Sequence, residues 1–318
     1  QAILLFLIAI LISTVGTKLW IGILKQNRVG QPIRKVGNKD HYKKEGTPTM
    51  GGLAFTVFFL IISLIVVGFT DELILLFIGT IGYGFIGFLD DDEKVKTNDN
   101  DGLTPNQKLI LQFVVAALMV IFAEWRFDHD YGQVIIPIVN AELPLSFLAY
   151  GVYVFIIVGT TNATNLTDGL DGLLSGVSIP VFIALAIIAT MEKYFSPDVF
   201  YFGLIFAGLL LGYLFYNSNP ASVMMGDTGS MAIGGAICAM LLTMNLLPYL
   251  IVLGGIYFIE AVSVLLQRYY YKYTGGKRIF LMSPIHHHYE LKGFKEQKIT
   301  VSFSLISGIL ALITLLLV

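Results

Sequence analysis

Apolar residues gather along this chain into ten long runs, roughly at 2–24, 51–68, 73–89, 107–123, 146–160, 176–191, 199–216, 231–246, 248–266 and 302–318. Polar, glycine-punctuated stretches separate them. About 20 mostly apolar residues in a helix cross the hydrocarbon core of a bilayer, where the backbone must satisfy its own hydrogen bonds. The pattern therefore predicts an all-α, polytopic integral membrane protein with about ten transmembrane helices, folded as a single membrane-embedded domain over 1–318. The fifth run is the weakest, because its end merges into TTNATN. The sixth and eighth are short and rich in small residues, which allow close helix packing. The opening run lacks a basic flank and a small-residue cleavage site, so it reads as a first span rather than a removable leader. Between the fourth and fifth runs, EWRFDHDYGQVIIPIVNAELPLS alternates around a proline and predicts a small hairpin or an interfacial segment.

Composition strengthens this reading. The chain is 56% hydrophobic and only 13% charged, with a mean hydropathy of +0.77, whereas a soluble domain is about one quarter charged. The net charge of −2 says little, because the charges are unevenly placed. With ten spans, the loops at 25–50, 90–108 and 267–301 share one side and hold seven, three and seven basic residues. The opposite loops hold only Arg126 and Lys193. The basic side is thereby predicted to be cytoplasmic, with both termini outside. A lone cysteine, Cys238, excludes an internal disulfide and a cysteine metal cluster.

The polar clusters fall on the predicted cytoplasmic side. Asp90, Asp91 and Asp92 end the third run. Adjacent carboxylates in a cleft that restricts water are costly unless cations neutralise them, and Mg²⁺ accepts carboxylates together with substrate phosphates. The plain alternative is a solvated acidic helix end. In TTNATNLTDGLDGL, Asn162, Asn165, Asp168 and Asp171 recur every three residues, which on a helical turn places them near one face. An EF-hand needs a different spacing. In YNSNPASVMMGDTGS, Asp227 is a candidate metal ligand, and the amides of the following helix could hold a phosphate oxygen. An ordinary helix cap is the competing reading. His286, His287 and His288 are consecutive and cannot all ligate one ion from a regular helix, so phosphate contact or acid–base work suits one or two of them better. The basic, glycine-rich stretch before the second run could meet lipid headgroups or a nucleotide, though positive-inside topology alone would supply its lysines.

Five ordered motifs then carry a resemblance: KKEGTPTMGG at 43–52, GFLDD at 87–91, NATNLTDGLDGL at 162–173, NPASVMMGDTGS at 219–230 and RIFLMSPIHHHYELKG at 278–293. Over nearly its whole length the chain resembles the bacterial phospho-N-acetylmuramoyl-pentapeptide-transferases, within the polyprenyl-phosphate N-acetylhexosamine-1-phosphate transferase superfamily. The resemblance implies Mg²⁺-dependent transfer of phospho-MurNAc-pentapeptide from its UDP carrier to undecaprenyl phosphate. Lipid I and UMP are the implied products, formed at the cytoplasmic face of the bacterial plasma membrane. It implies Asp227 as the Mg²⁺ ligand and Asp90, Asp91, Asp168 and His287 as catalytic positions, with Asp90 proposed to deprotonate the lipid phosphate. By the same resemblance Lys44, Thr47, Lys108, Asn162, Asn165, Gly169, Leu170, Asp171, Asn217, Met224, His286 and His288 are expected to bind substrate. Gly169 to Asp171 would lie around the uracil. Membrane lipids and a second copy of the chain are the other implied partners, and nucleic acid is not one. The chain departs from the family at Met224, where a phenylalanine usually stacks on uracil, at Asp92, where a tyrosine is common, and at Ser302, Phe303 and Ser304, where a basic-aromatic run is usual.

Three other readings compete. A relative using a different sugar phosphate would lack the HHH loop. A transporter would place ionisable residues mid-membrane, where only Glu260 lies, and a polar helix contact explains that residue equally well. A structural metal protein would need a ligand set that the chain does not show. Direct attack by the lipid phosphate and a covalent aspartyl intermediate both fit the sequence.

Overall fold

The computed structural model describes residues 1–27, 30, 46–97, 101–139 and 141–318. Helices α1 (Ala2–Gln26), α2 (Gly52–Val67), α3 (Asp71–Thr97) and α4 (Pro105–Arg126) precede a two-stranded antiparallel hairpin, β1 (Gln133–Ile136) and β2 (Ala141–Pro144). Then follow α5 (Phe147–Thr167), α6 (Leu173–Ile188), α7 (Pro197–Asn217), α8 (Gly226–Thr243), the short α9 (Leu250–Leu253), α10 (Gly255–Tyr273), α11 (Ile285–Leu291) and α12 (Glu296–Leu317). The fold is all-α and polytopic, with the expected hairpin between the fourth and fifth spans. Among the described residues six helices are long and apolar enough to cross a membrane, or seven if the bent pair Leu247–Leu253 and Gly255–Tyr273 counts as one. Helices α2 and α6, of 16 residues each, are shorter than a typical crossing. The run at 248–266 was expected to be one continuous span. Instead it breaks by 83° at Gly254–Gly255, where two glycines lower helix propensity.

The bundle is built around α8, in which every residue from Thr228 to Thr243 is buried. This explains why the eighth run reads as small and apolar on all sides. Its main neighbour is α3, and α5 packs on another side. On α3, Gly79 faces the carbonyl of Gly235, Gly84 faces Ala232, and a Cβ at Gly87 would overlap the backbone of Asp227. Small residues on both helices bring the two backbones together and allow van der Waals packing where lipid gives no hydrophobic drive. A second layer joins α7 to α1 and α6, with α12 along α6. There the rings of Phe182 and Phe206 stack at 4.2 Å, and Phe55 sets its edge 5.1 Å from Tyr213. Helices α1, α4 and α12 turn most of their apolar side chains outward, as lipid-facing helices do.

The ends of α8 are held differently. Near its C-terminus, Tyr131 Oη donates to the Leu242 carbonyl at 2.8 Å and His129 Nε2 lies 3.0 Å from the Thr243 carbonyl. These contacts add side-chain donors at the last carbonyls of the helix, where the intrahelical ladder ends. Tyr153 Oη donates to the Gln133 carbonyl at 2.7 Å, so the hairpin and its flanks cover that end. The polar motifs converge at the other end. If the α3–α8 contact sets the fold, Gly87→Ala should lower stability by about 1–3 kcal/mol through overpacking against backbone. Gly151→Ala, whose added methyl meets nothing within 4 Å, should be silent. Thermal unfolding of both variants in detergent checks this pair.

Candidate active site

Helix α3 runs past its apolar part, so that Asp90, Asp91 and Lys94 project from its last turns at the N-terminal end of α8. Asp91 is buried and spends both oxygens on that end. Oδ1 accepts from the Asp227 amide at 3.0 Å, and Oδ2 accepts from the Thr228 amide at 2.9 Å and the Thr228 hydroxyl at 2.7 Å. The amides considered as phosphate donors are thus occupied by a carboxylate of the chain itself. Gly226 makes this approach possible. Its φ is +77°, and a Cβ there would lie 2.6 Å from Asp91 Oδ2.

With α8 fixed in this way, Asp227 turns its side chain into a cluster with Asp90, Lys94, Lys108 and Asn165. Asp227 Oδ2 accepts from Lys108 Nζ at 2.5 Å and Lys94 Nζ at 3.1 Å, and Oδ1 accepts from Asn165 Nδ2 at 2.8 Å. Asp90 Oδ2 is ion-paired with Lys94 Nζ at 2.5 Å and lies 3.6 Å from Lys108 Nζ, while its Oδ1 accepts from the Leu103 amide at 3.1 Å. Asn165 also donates to Ser230 Oγ at 2.9 Å. One turn further along α4 and α5, Asn162 exchanges hydrogen bonds with Gln112, the shorter of them 2.7 Å. Two carboxylates, two ammonium groups and an amide therefore meet from four helices, partly exposed at one end of the bundle. Such a set can hold phosphate oxygens on its lysines and a cation on its carboxylates.

The other expected residues surround this cluster or brace it. Asp168 ends α5, and Gly169 lies against the His286 ring, where a Cβ would overlap the imidazole. Leu170 is buried. Asp171 Oδ2 accepts from Asn219 Nδ2 and the Ala221 amide, both at 3.0 Å, so its carboxylate ties two loops together. Asn217 is buried and links Ser175 Oγ to the Val223 carbonyl. The backbone of Met224 pairs with Pro48 and Gly51, which brings the segment carrying Thr47 to the same end. Lys44 lies outside the described residues.

The three histidines separate into three environments. His286 is fully buried, with Nδ1 3.1 Å from Glu260 Oε2, so the acid within the ninth run is a helix contact between α10 and α11. His287 is partly exposed and pairs through Nδ1 with Glu290 Oε2 at 3.0 Å. His288 Nδ1 accepts from the Leu281 amide at 3.1 Å. Desolvation, and then the charge of Lys292, hold His288 below the usual imidazole value, which suits a neutral acceptor. His287 and His288 are both partly exposed on α11, whereas His286 is enclosed.

Lys94 and Gln112 belong to this site and were not among the expected site residues. The signal for both was helical spacing: Lys94 follows Asp90 by four residues, and Gln112 follows Lys108 by four. Glu260, Asn219 and Glu296 act through contacts distant in sequence. Among the described residues no group of three or more His, Cys, Asp or Glu side chains could hold a metal ion.

Matched against known families, this helical membrane bundle falls among integral-membrane transferases: a family model described as glycosyl transferase family 4 matches residues 73–245. A phospho-N-acetylmuramoyl-pentapeptide-transferase signature matches residues 44–55. Proteins of that name from Bacillus thuringiensis (strain Al Hakam) and Bacillus cereus (strain AH187) are each 42% identical over 310 residues, covering 96% of this chain and 94% of the relative. The chain belongs to the phospho-N-acetylmuramoyl-pentapeptide-transferase family, and it is a membrane-bound enzyme of cell-wall synthesis.

If Asp91 serves the start of α8, Asp91→Asn places an amide against the Thr228 donors and should cost about 1–3 kcal/mol of stability. Asp90→Asn should cost less. Unfolding midpoints of the two variants decide, and an unchanged midpoint for Asp91→Asn would reject the structural role.

Proposed function

We propose that the chain transfers phospho-MurNAc-pentapeptide from UDP-MurNAc-pentapeptide to undecaprenyl phosphate, giving lipid I and UMP. The observation that carries this reading is the cluster of Asp90, Lys94, Lys108, Asn165 and Asp227 at one end of a membrane bundle. There a lipid phosphate and a soluble diphosphate could meet. An oxygen of the acceptor phosphate attacks the β-phosphorus of the donor, the bond to the α-phosphate breaks, and UMP leaves with the electron pair. Phosphoryl transfer of this kind needs mainly positioning and charge neutralisation. Lys94 and Lys108 are the groups available to hold the phosphate oxygens. Asn165 orients Asp227, and the Asp168–Leu170 turn with His287 and Met224 forms the donor side.

Magnesium fits this site in a limited sense. Mg²⁺ commonly takes one or two carboxylates and completes its shell with substrate phosphates and water. Asp227, with Asp90 nearby, offers that partial set, and ammonium groups already occupy cationic positions beside both. Bound with a diphosphate, Mg²⁺ would neutralise the developing charge. The wider reading is one domain with ten crossings, α2, α6, α8 and the bent pair completing the six long helices. The catalytic end faces the cytoplasm, both termini lie outside, and two copies form a homodimer in the plasma membrane among its lipids. The basic-residue asymmetry supports this orientation.

An exchange assay of UMP against purified lipid product, with and without magnesium, tests the reaction. Asp227→Asn should abolish exchange while leaving the unfolding free energy within about 1 kcal/mol of the parent, because the loss falls on the transition state. Near-normal turnover at the parent's magnesium optimum would remove Asp227 from this role.

Asp90 has two readings. Its oxygens already meet the Leu103 amide and Lys94. The second pKa of a phosphate monoester is about 6, so much of the acceptor is already a dianion at neutral pH. We therefore read Asp90 as the group that sets the two lysines rather than as an obligatory base. The kcat ratio of Asp90→Asn to parent should then stay flat with pH at saturating magnesium and substrates. Recovery of the variant as pH rises would restore the base role.

A further inference from the structure

Two loops border the cluster, and the last helix holds both. Residues 168–172 follow α5, which carries Asn162 and Asn165. Residues 218–225 precede α8, which carries Asp227. The first turns of α12 lie against them through Glu296, Gln297 and Thr300. Glu296 Oε1 accepts from the Asp171 amide at 2.6 Å, and Oε2 accepts from Asn219 Nδ2 at 2.9 Å. Gln297 Nε2 donates to the Asn219 carbonyl at 3.1 Å, and Thr300 Oγ1 donates to the Asp171 carbonyl at 3.3 Å. Asn219 Nδ2 also reaches Asp171 Oδ2 at 3.0 Å. One amide thus bridges two carboxylates, and one carboxylate bridges two loops that otherwise belong to different helix pairs.

We propose that Glu296 is a positioning residue for the donor side of the site. It fixes the 168–172 turn relative to the loop that leads into Asp227, without touching the substrate. This rests on the assignment of that turn to the UDP-linked donor. A carboxylate is suited to the task because charge-assisted bonds to an amide N–H and a side-chain amide are short and directional. Alanine here would leave the Asp171 amide without this acceptor and the Asn219 side chain with one carboxylate fewer. Asp171 Oδ2 would still hold Asn219 Nδ2 and the Ala221 amide, so the two loops would be loosened rather than separated. The Glu296 bonds to Asp171 and Asn219 are with other residues than Lys94 and Lys108, against which the acceptor phosphate is expected.

The experiment uses the full chain in detergent, with Glu296→Ala, Glu296→Gln, Asn219→Ala and the double alanine variant. Glu296→Ala should raise KM for UDP-MurNAc-pentapeptide about tenfold, with kcat within about twofold and KM for undecaprenyl phosphate unchanged. Asn219→Ala should shift the same constant, and the double variant should be less impaired than the product of the two single effects. If Glu296→Ala does not fold, Glu296→Gln and Asn219→Ala carry the same readouts. A fall in kcat at constant donor KM, a rise in acceptor KM, or independent effects in the double variant would overturn the proposal. Hydrogen exchange decides the latch without reference to the chemistry. The amide of Asp171, which donates to Glu296 Oε1, should lose protection in Glu296→Ala, and unchanged protection there would overturn the latch. A parent protein inactive toward the donor would count against the transferase reading, while exchange would still judge the latch.

Discussion

The site depends on one carboxylate that faces away from it. Asp91 binds the first amides of α8 with both oxygens, and this fixes where the central helix begins relative to the end of α3. An N-terminal helix end carries partial positive charge and unsatisfied donors, so an ionised carboxylate is a natural partner. Asp227 is one residue inside that end. Its orientation toward Lys94, Lys108 and Asn165 therefore follows from the Asp91 contact and from the glycines that let α3 and α8 touch. Chemistry and packing are continuous here, since adjacent aspartates in the chain serve the two purposes separately.

Much of this was legible in the sequence because it is local or periodic. Apolar runs marked the spans, and the hairpin was visible in its alternation around Pro137. Of the four polar residues spaced by three, Asn162 and Asn165 share a face of α5 and meet Gln112 and Asp227, whereas the helix ends at Thr167 and Asp171 turns to Asn219 and Ala221 instead. Motif order supplied the family. Pairings between distant segments were not legible. No pattern near Glu296 shows that it reaches Asp171, 125 residues away, and no pattern near Glu260 shows its contact with His286. The 83° break was hidden by its apolarity, because Gly254 and Gly255 sit in a run that hydropathy alone reads as continuous.

Identical residues can also do different work. The HHH run suggests one chemical unit, yet each ring meets its own partner: Glu260 for His286, Glu290 for His287 and the Leu281 amide for His288. The seven-residue α11 rotates successive side chains by about 100°, so His286 faces the bundle interior, His287 its own helix at Glu290 and His288 the loop at Leu281. A similar division holds among the acids, where Asp171 and Asp91 brace the fold while Asp90 and Asp227 remain beside lysines.

The hairpin contacts at the far end of α8 bear on how the enzyme can move. With Asp91 gripping the first turn and Tyr131 and His129 bonded to carbonyls of the last, an axial slide of α8 by one helical turn, about 5.4 Å, would break both grips at once. The central helix is in effect a fixed strut. Changes of shape that accompany a catalytic cycle are then left to elements such as α10, which follows a sharp bend and meets α11 through the buried Glu260 and the ring and amide of His286.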